Sequence, residues 1–378
     1  MTRIVNMSVG QTELHPVYRR SLTAPIETPA YFTEYRLMYR EVEEMMKKLF
    51  STNRTPFVTM GTGRTGLETI TYSLISSGNN VLCLDNGHWG HFLGELCENI
   101  GAMVDYISSG LGSDIDWKSL EKALVKKTYQ FVTVVHCETN TGALYDIARV
   151  SSVIKQFSPS TMLIVDGISA FGGTTVEFDN WDIDCYVGGS QKCLNAAQGS
   201  PIVCFSERAK SLVDKLKHTR PYLHTLSLTH KPSYLALRGL HSIFTDMINE
   251  GLDTVYARHS SAAHGVRAGL LELGLHSFVE DEKLHSPSVT RIVFPSELQD
   301  RIDQERRNKG IDQDVVTQTM KNRFGVVIGE DRIGTMGNFA RSEYVVLTIE
   351  AIGRTLSELG FEIDLGSACA AAARACYR

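Results

Sequence analysis

Lys192 stands in Gly188-Gly189-Ser190-Gln191-Lys192-Cys193-Leu194-Asn195, between the apolar run Ile183 to Val187 and an apolar segment that starts at Pro201. An amine held between such runs is partly desolvated, which lowers its pKa and makes it a nucleophile at neutral pH. A lysine on a surface loop is the plain alternative. Asp166, 26 residues earlier, ends the run Met162-Leu163-Ile164-Val165 and precedes Gly167-Ile168-Ser169-Ala170-Phe171-Gly172-Gly173. A carboxylate there can hold a proton on a ring nitrogen, cap a helix or bind a metal, and no His/Cys/Asp cluster surrounds it to favour the metal. Gly61-Thr62-Gly63-Arg64-Thr65-Gly66 follows the short strand Phe57 to Met60 and opens a helix, so its backbone N–H groups form an anion site suited to a phosphate. Trp89, in Asp85-Asn86-Gly87-His88-Trp89-Gly90, offers a flat face for a ring or simply fills a core. Thr139, in His136-Cys137-Glu138-Thr139-Asn140-Thr141-Gly142, offers a hydroxyl on the next strand-end loop. Arg332, after Asp331, carries a planar fork that grips a carboxylate or pairs with its acidic neighbours.

Two cofactors compete for the glycine-rich loop. It matches G-x-G-x-x-G, and Asp85 stands 19 residues beyond Gly66 at a strand end, as a dinucleotide fold requires. A triphosphate loop lacks its lysine, because Leu67 follows Gly66. A glycine-rich turn that only packs a helix on a sheet is the third possibility. A nicotinamide site leaves the residues from Trp89 to Lys192 unexplained. Pyridoxal phosphate accounts for most of them, since it needs a lysine, a carboxylate on the pyridine nitrogen, an aromatic face and a phosphate cup.

The elements that must position these residues follow from periodicity. Short apolar strands at Val81 to Asp85, Met103 to Ile107, Phe131 to His136, Thr161 to Asp166, Ile183 to Val187 and Pro201 to Phe205 alternate with amphipathic stretches. Those stretches include Tyr35 to Phe50, Arg64 to Ser76, Gly90 to Ile100 and Ser206 to Lys217, the pattern of an α/β fold with a mostly parallel sheet. Asp85, His136 and Asp166 fall at strand C-terminal ends, where such folds bind ligands. After His230 the pattern changes to long helices, Tyr234 to Asn249 and Thr254 to Leu273, then Val289 to Phe294, a helix from Ser296, Gly325 to Ile328 and a last helix near Ser342 to Leu359. This reads as a smaller α+β domain. The alanine-rich tail with Cys369 and Cys376 reads as a fraying helix or disorder.

With 378 residues, 43% hydrophobic, 21% charged and a net charge of −5, the chain excludes disorder and coiled coil and is long enough for two lobes. No stretch approaches the roughly 18 uninterrupted apolar residues of a membrane span, and the opening residues lack a secretory core. The mild acidity offers no footprint for nucleic acid. Eight cysteines without a C-x-x-C pair read as reduced core thiols, and the expected compartment is cytoplasmic.

Six motifs, GTGRTGLE, NGHWG, HCETNTG, VDGISAFGG, GSQKCLNAAQG and DRIGTMG, occur in the order seen in class V aminotransferases, which the sequence resembles over nearly its whole length. The resemblance is greatest to the alanine:glyoxylate, serine:pyruvate and 2-aminoethylphosphonate:pyruvate enzymes. It implies PLP fold type I: an N-terminal arm (1–20), a large domain (21–250) with a mostly parallel seven-stranded sheet sandwiched by helices, and a smaller α+β domain (251–378). It implies that Lys192 forms the Schiff base to pyridoxal 5'-phosphate, Asp166 pairs with the pyridine nitrogen and Trp89 stacks on the ring. Thr139 would meet the ring hydroxyl, Ile168 would touch the cofactor, and Thr62, Gly63, Arg64 and Gln191 would hold its phosphate. Arg332 and Gly10 would face substrate. Tyr222 and Thr225, in Arg220-Pro221-Tyr222-Leu223-His224-Thr225, would complete the phosphate site of a neighbouring subunit, which implies a homodimer. The implied reaction moves an amino group from an amino acid or aminoalkyl acid to a small 2-oxo acid such as pyruvate or glyoxylate. Aldol cleavage, elimination or condensation on the same scaffold, an NAD-dependent oxidoreductase, and a silent cofactor-binding protein are the alternatives. The chain departs from the family in its opening, which keeps Gly10 but lacks the usual prolines, in Gln198 where many relatives carry proline, and in the full charge of Arg64.

Overall fold

The computed structural model describes residues 4–25, 33–219, 232–309 and 315–377. Seven strands form the central sheet in the order Phe57–Val58, Ile202–Phe205, Cys185–Gly188, Met162–Asp166, Phe131–Val135, Asn80–Asp85 and Met103–Ser108. All adjacent pairs run parallel except the two made by Ile202–Phe205, which is antiparallel to both neighbours. The inner strands are buried on both faces, which is why they read as unbroken apolar runs. Helices cover the two faces with separate apolar clusters, one reaching from Tyr35 and Tyr39 to Phe244, the other built on Leu67, Ile70, Leu93 and Val213. The strands lie within a residue or two of their expected positions, and the seven-stranded, mostly parallel sheet between helices is the architecture the resemblance implied.

Met162–Asp166 pairs in register with both neighbours, bringing Asp166 level with Val135 and Val187. Asp166, the loop after His136 and the loop after Gly188 are therefore gathered at one edge of the sheet. The Gly63–Leu74 helix arrives at the same edge, because Gly66 lies against Pro201 and Val187, where a β-carbon would come within 2.8 Å of the proline ring.

A third apolar cluster takes in the later part of the long Leu252–Glu272 helix, whose Val255 belongs to the large core while Ala262, Val266 and Leu270 belong to the smaller one. The smaller layer carries an antiparallel sheet in the order His276–Ser277, Val289–Val293, Arg332–Gly334. Val5–Met7, at the start of the chain, pairs in parallel with Val326–Ile328, and Val5 and Met7 are buried in the smaller core. Residues 8–15 then return to the large sheet's edge, and the Pro16–Thr23 helix packs on Tyr234–Glu250, with Tyr18 against Gly239. The start of the chain thus ties the two cores together.

Of the two expectations for the alanine-rich tail, the helix is found and the disorder is not. The helix Ser342–Glu358 is followed by another, Leu365–Ala375, capped by the Asp364 carboxylate accepting the Ser367 N–H at 3.0 Å. Ala368 and Ala372 are buried against the Leu252–Glu272 helix, where a β-carbon on Gly265 would clash with the Cys376 sulfur. Small side chains permit this close approach, so the alanine run is an ordered packing surface. None of the described helices is long and apolar enough to cross a membrane.

Candidate active site

Below the strand ends lies a cavity of about 430 Å³, in the range of sites for small organic ligands. Gly10, Thr62, Gly63, Arg64, Trp89, Thr139, Asp166, Ile168, Gln191 and Lys192 all line it. The same wall includes Gln11, Cys137, Ser169 and Gln198. Arg332 is not part of the lining: its Nε lies 3.2 Å from Asp331 Oδ1, although its charge still reaches Lys192. Tyr222 and Thr225 lie outside the described residues.

Lys192 is buried, and the loss of water lowers its pKa to about 8; Asp166 and two nearby thiols oppose that shift and Arg332 adds to it. Its Nζ donates a hydrogen bond to the Val9 carbonyl, in the segment that follows the Val5–Met7 strand. Burial pushes Asp166 the other way, up to about 7, even though its Oδ1 accepts the Ile168 N–H at 2.9 Å. A buried amine and a buried carboxylate thus share one cavity, each displaced from its ordinary pKa by desolvation.

The anion end is the start of the Gly63–Leu74 helix. Thr62 caps it by accepting the Thr65 N–H at 3.2 Å, and no acidic residue sits in its first turn to compete with a bound anion. Gly61 has φ +114°, and a β-carbon on it would overlap the Thr65 side chain, so the turn requires glycine. Ile168 fills the space against Gly63 and Gly189, where a β-carbon at either would come within 2.8 Å of the isoleucine.

Trp89 opens the His88–Asn99 helix, and the Arg64 guanidinium lies over its ring at 5.1 Å from the centroid. That helix has no side-chain cap of its own at Gly87. Glu138, on the neighbouring loop, caps it instead: one oxygen accepts the Trp89 N–H at 2.8 Å and the Gly90 N–H at 3.3 Å, the other the Asn140 N–H at 2.9 Å. Gly87 makes room, since a β-carbon there would meet the Glu138 Cγ at 2.6 Å. Glu138 sits beside Thr139 in sequence, yet nothing in its local spacing signals that it holds Trp89.

Thr139 Oγ1 pairs with Ser169 Oγ at 2.5 Å, behind which Ser288 Oγ donates to the Ser169 carbonyl at 2.7 Å. Cys137 Sγ lies 3.1 Å from Ser286 Oγ; burial pushes its pKa up to about 11 and that of Cys193 up to about 12. Both thiols therefore stay protonated near neutral pH, which does not suit sulfur nucleophiles. Asp85 is also accounted for: its carboxylate lies 3.1 Å from His91 Nδ1 and does not line the cavity.

The site fits pyridoxal phosphate by its own donor set. The buried Asp166 carboxylate calls for a cationic or N–H partner, the acid-free helix start calls for an anion, and the amine of Lys192 lies in the same cavity. The chain belongs to the class V aminotransferase family, whose model matches residues 14–296. It is a PLP-dependent transferase of that class. Its relatives include the L-aspartate–glyoxylate aminotransferase of Paracoccus denitrificans, 28% identical over 96% of this chain and 93% of that one. The pyridoxamine–pyruvate transaminase of Mesorhizobium japonicum is 26% identical, covering 98% and 95%. Among solved structures, the ureidoglycine–glyoxylate aminotransferase of Bacillus subtilis superposes with a TM-score of 0.89 at 26% identity, covering 100% of this chain and 99% of that one.

Proposed function

We propose that this aminotransferase moves an amino group from an amino acid to a small 2-oxo acid, glyoxylate or pyruvate, at the cavity around Lys192. The observation that carries this is the placement of Lys192 and Asp166 in one buried cavity at a helix N-terminus, in a family whose named relatives use glyoxylate or pyruvate. When bound, pyridoxal phosphate supplies a ring that withdraws electrons from the substrate's reacting carbon. Asp166 would hold the proton on the ring nitrogen, and Thr139 would bond the ring hydroxyl. Thr62, Gly63 and Arg64 would receive the phosphate through the helix start and the guanidinium, with Gln191 beside them. Trp89 would cover one face of the ring, while Ile168 supports the opposite wall. Lys192 anchors the cofactor and then holds and moves the transferred proton at Nζ, where a small swing of one nitrogen suffices. Arg332, on the first residue of its strand, would take the substrate carboxylate by exchanging its Asp331 contact, and Gly10 would border the substrate.

On this reading residues 21–250 form the cofactor lobe, 251–378 the smaller lobe and 1–20 an arm. Two chains would share each site through Tyr222 and Thr225. The free cysteines, six of them buried, suit a reducing, cytoplasmic setting.

The test is the absorbance spectrum of the purified protein during titration with single amino acids, with product analysis and Lys192→Ala in parallel. A visible band that bleaches with one donor, yields an oxo acid and recovers with glyoxylate or pyruvate is the expected result. Transamination by Lys192→Ala at the parent rate would overturn the assignment.

A further inference from the structure

We propose that Asn195 is a positioning residue that latches the N-terminal arm and the small-domain loop 335–339 onto the segment that carries Lys192, so that the arm is held against the reacting amine. This rests on the reading that Lys192 is that amine. Asn195 is fully buried and is one of four non-glycine residues with positive φ among the described residues, at 50°. A left-handed residue three places after Lys192 turns the chain back, and its N–H donates to the Lys192 carbonyl at 2.9 Å.

The two ends of the Asn195 carboxamide favour different elements, although Nδ2 also lies 3.4 Å from the Lys192 carbonyl and 3.5 Å from the Met336 carbonyl. Nδ2 donates to Thr12 Oγ1 at 2.7 Å, and Thr12 in turn donates from Oγ1 to the Gln191 carbonyl at 2.9 Å. The backbone carbonyl of Asn195 also accepts the His15 N–H at 2.7 Å. Oδ1 accepts the Asn338 N–H at 2.5 Å. Gly337 alone permits that approach, because a β-carbon there would overlap Oδ1. Gly337 is held from behind as well, its N–H by the buried His259 Nε2 at 2.9 Å and its carbonyl by Arg258 Nη1 at 2.5 Å. The arm so tethered contributes the Val9 carbonyl to Lys192 Nζ and Gly10 and Gln11 to the cavity wall. The loop so tethered directly follows the strand that begins at Arg332. Loosening the latch would let water reach the amine, and a hydrated lysine regains its ordinary basicity.

The test uses the full-length apoprotein with Asn195→Gly, which keeps the left-handed backbone, Asn195→Asp, which keeps the acceptor for Asn338 but loses the donor to Thr12, and Thr12→Val. Hydrogen exchange in residues 4–15 is expected to quicken at least tenfold in all three, and in residues 335–339 far more in Asn195→Gly than in the other two, with the strand 131–135 unchanged. The pH midpoint for capture of pyridoxal phosphate by the apoprotein is expected to rise by about one unit or more in Asn195→Gly. Combining Asn195→Gly with Thr12→Val should add little to either single change on the arm. Parent-like arm exchange in Asn195→Asp and Thr12→Val would overturn the latch, whether or not Asn195→Gly folds. Cofactor capture by Lys192→Ala as fast as by the parent would overturn the functional reading instead, and leaves the exchange result to judge the latch on its own.

Discussion

In the apoprotein Asp166 keeps its proton up to about pH 7, because the buried carboxylate has lost its water and gains back only the Ile168 N–H. The unfolded chain releases that proton near the ordinary aspartate value, so between these two points the native state binds more protons and stability falls as pH rises. Lys192 acts in the opposite direction: lowered to about 8, it leaves the unfolded state binding more protons above that pH, and stability recovers there. In urea unfolding of the apoprotein Asp166 is expected to remove at most about 3 kcal/mol between pH 5 and pH 7.5, at roughly 1.4 kcal/mol per pKa unit over the two units from 5 to 7, set against the opposite slope of the buried neutral His136 and His259. Asp166→Asn should remove that acid-side slope while abolishing most of the turnover of the cofactor-loaded enzyme. A fall in stability that persists in Asp166→Asn would place its source elsewhere. These two residues were legible from sequence because each interrupts or follows an apolar run; that both would lose their water in the same cavity was not.

The elements behave as supports whose ends are finished by other elements. The His88–Asn99 helix lacks a local cap and borrows one from Glu138, a buried carboxylate that balances its desolvation with three backbone N–H donors and the positive end of the helix. Glu138→Gln replaces one acceptor oxygen by a donor that faces an N–H group. It should destabilise the fold by about 1–3 kcal/mol in chemical denaturation, and it should weaken cofactor binding through the displaced Trp89 start. A parent-like unfolding midpoint and dissociation constant would show that the cap carries no such load. The strands illustrate the contrasting case: residues such as Val134, Val165 and Val187 are buried on a sheet covered on both faces, so the element is stated by its own composition. The Leu365–Ala375 helix falls between, since its alanines read as weakly committed until Gly265 and the Leu252–Glu272 helix provide a surface close enough to bury them.

At the scale of the molecule, the arm joins the smaller core through Val5–Met7 and the larger one through Tyr18, and passes the cavity between them. On the proposed reading the cavity is completed by a second chain. Sedimentation velocity is expected to return twice the 42.0 kDa of one chain. Co-expression of Lys192→Ala with Thr225→Ala chains should then restore about a quarter to a half of the parent activity per dimer site, because one of the two sites in each mixed dimer would be intact; no restoration, or a monomeric mass, would count against a shared site. The sequence by itself determined the α/β sheet, the order of its strands along the chain and the chemistry gathered at Lys192, Asp166 and the Gly61–Gly66 loop, since apolar runs, glycine turns and motif residues are local facts. Only the tertiary structure decided that the Val9 carbonyl meets Lys192, that Glu138 caps the Trp89 helix, that Asn195 joins Thr12 to Asn338 and that the alanine tail is buried. These depend on contacts between residues far apart in the chain, whose partners are chosen by packing and by the need to satisfy buried polar groups rather than by any local pattern.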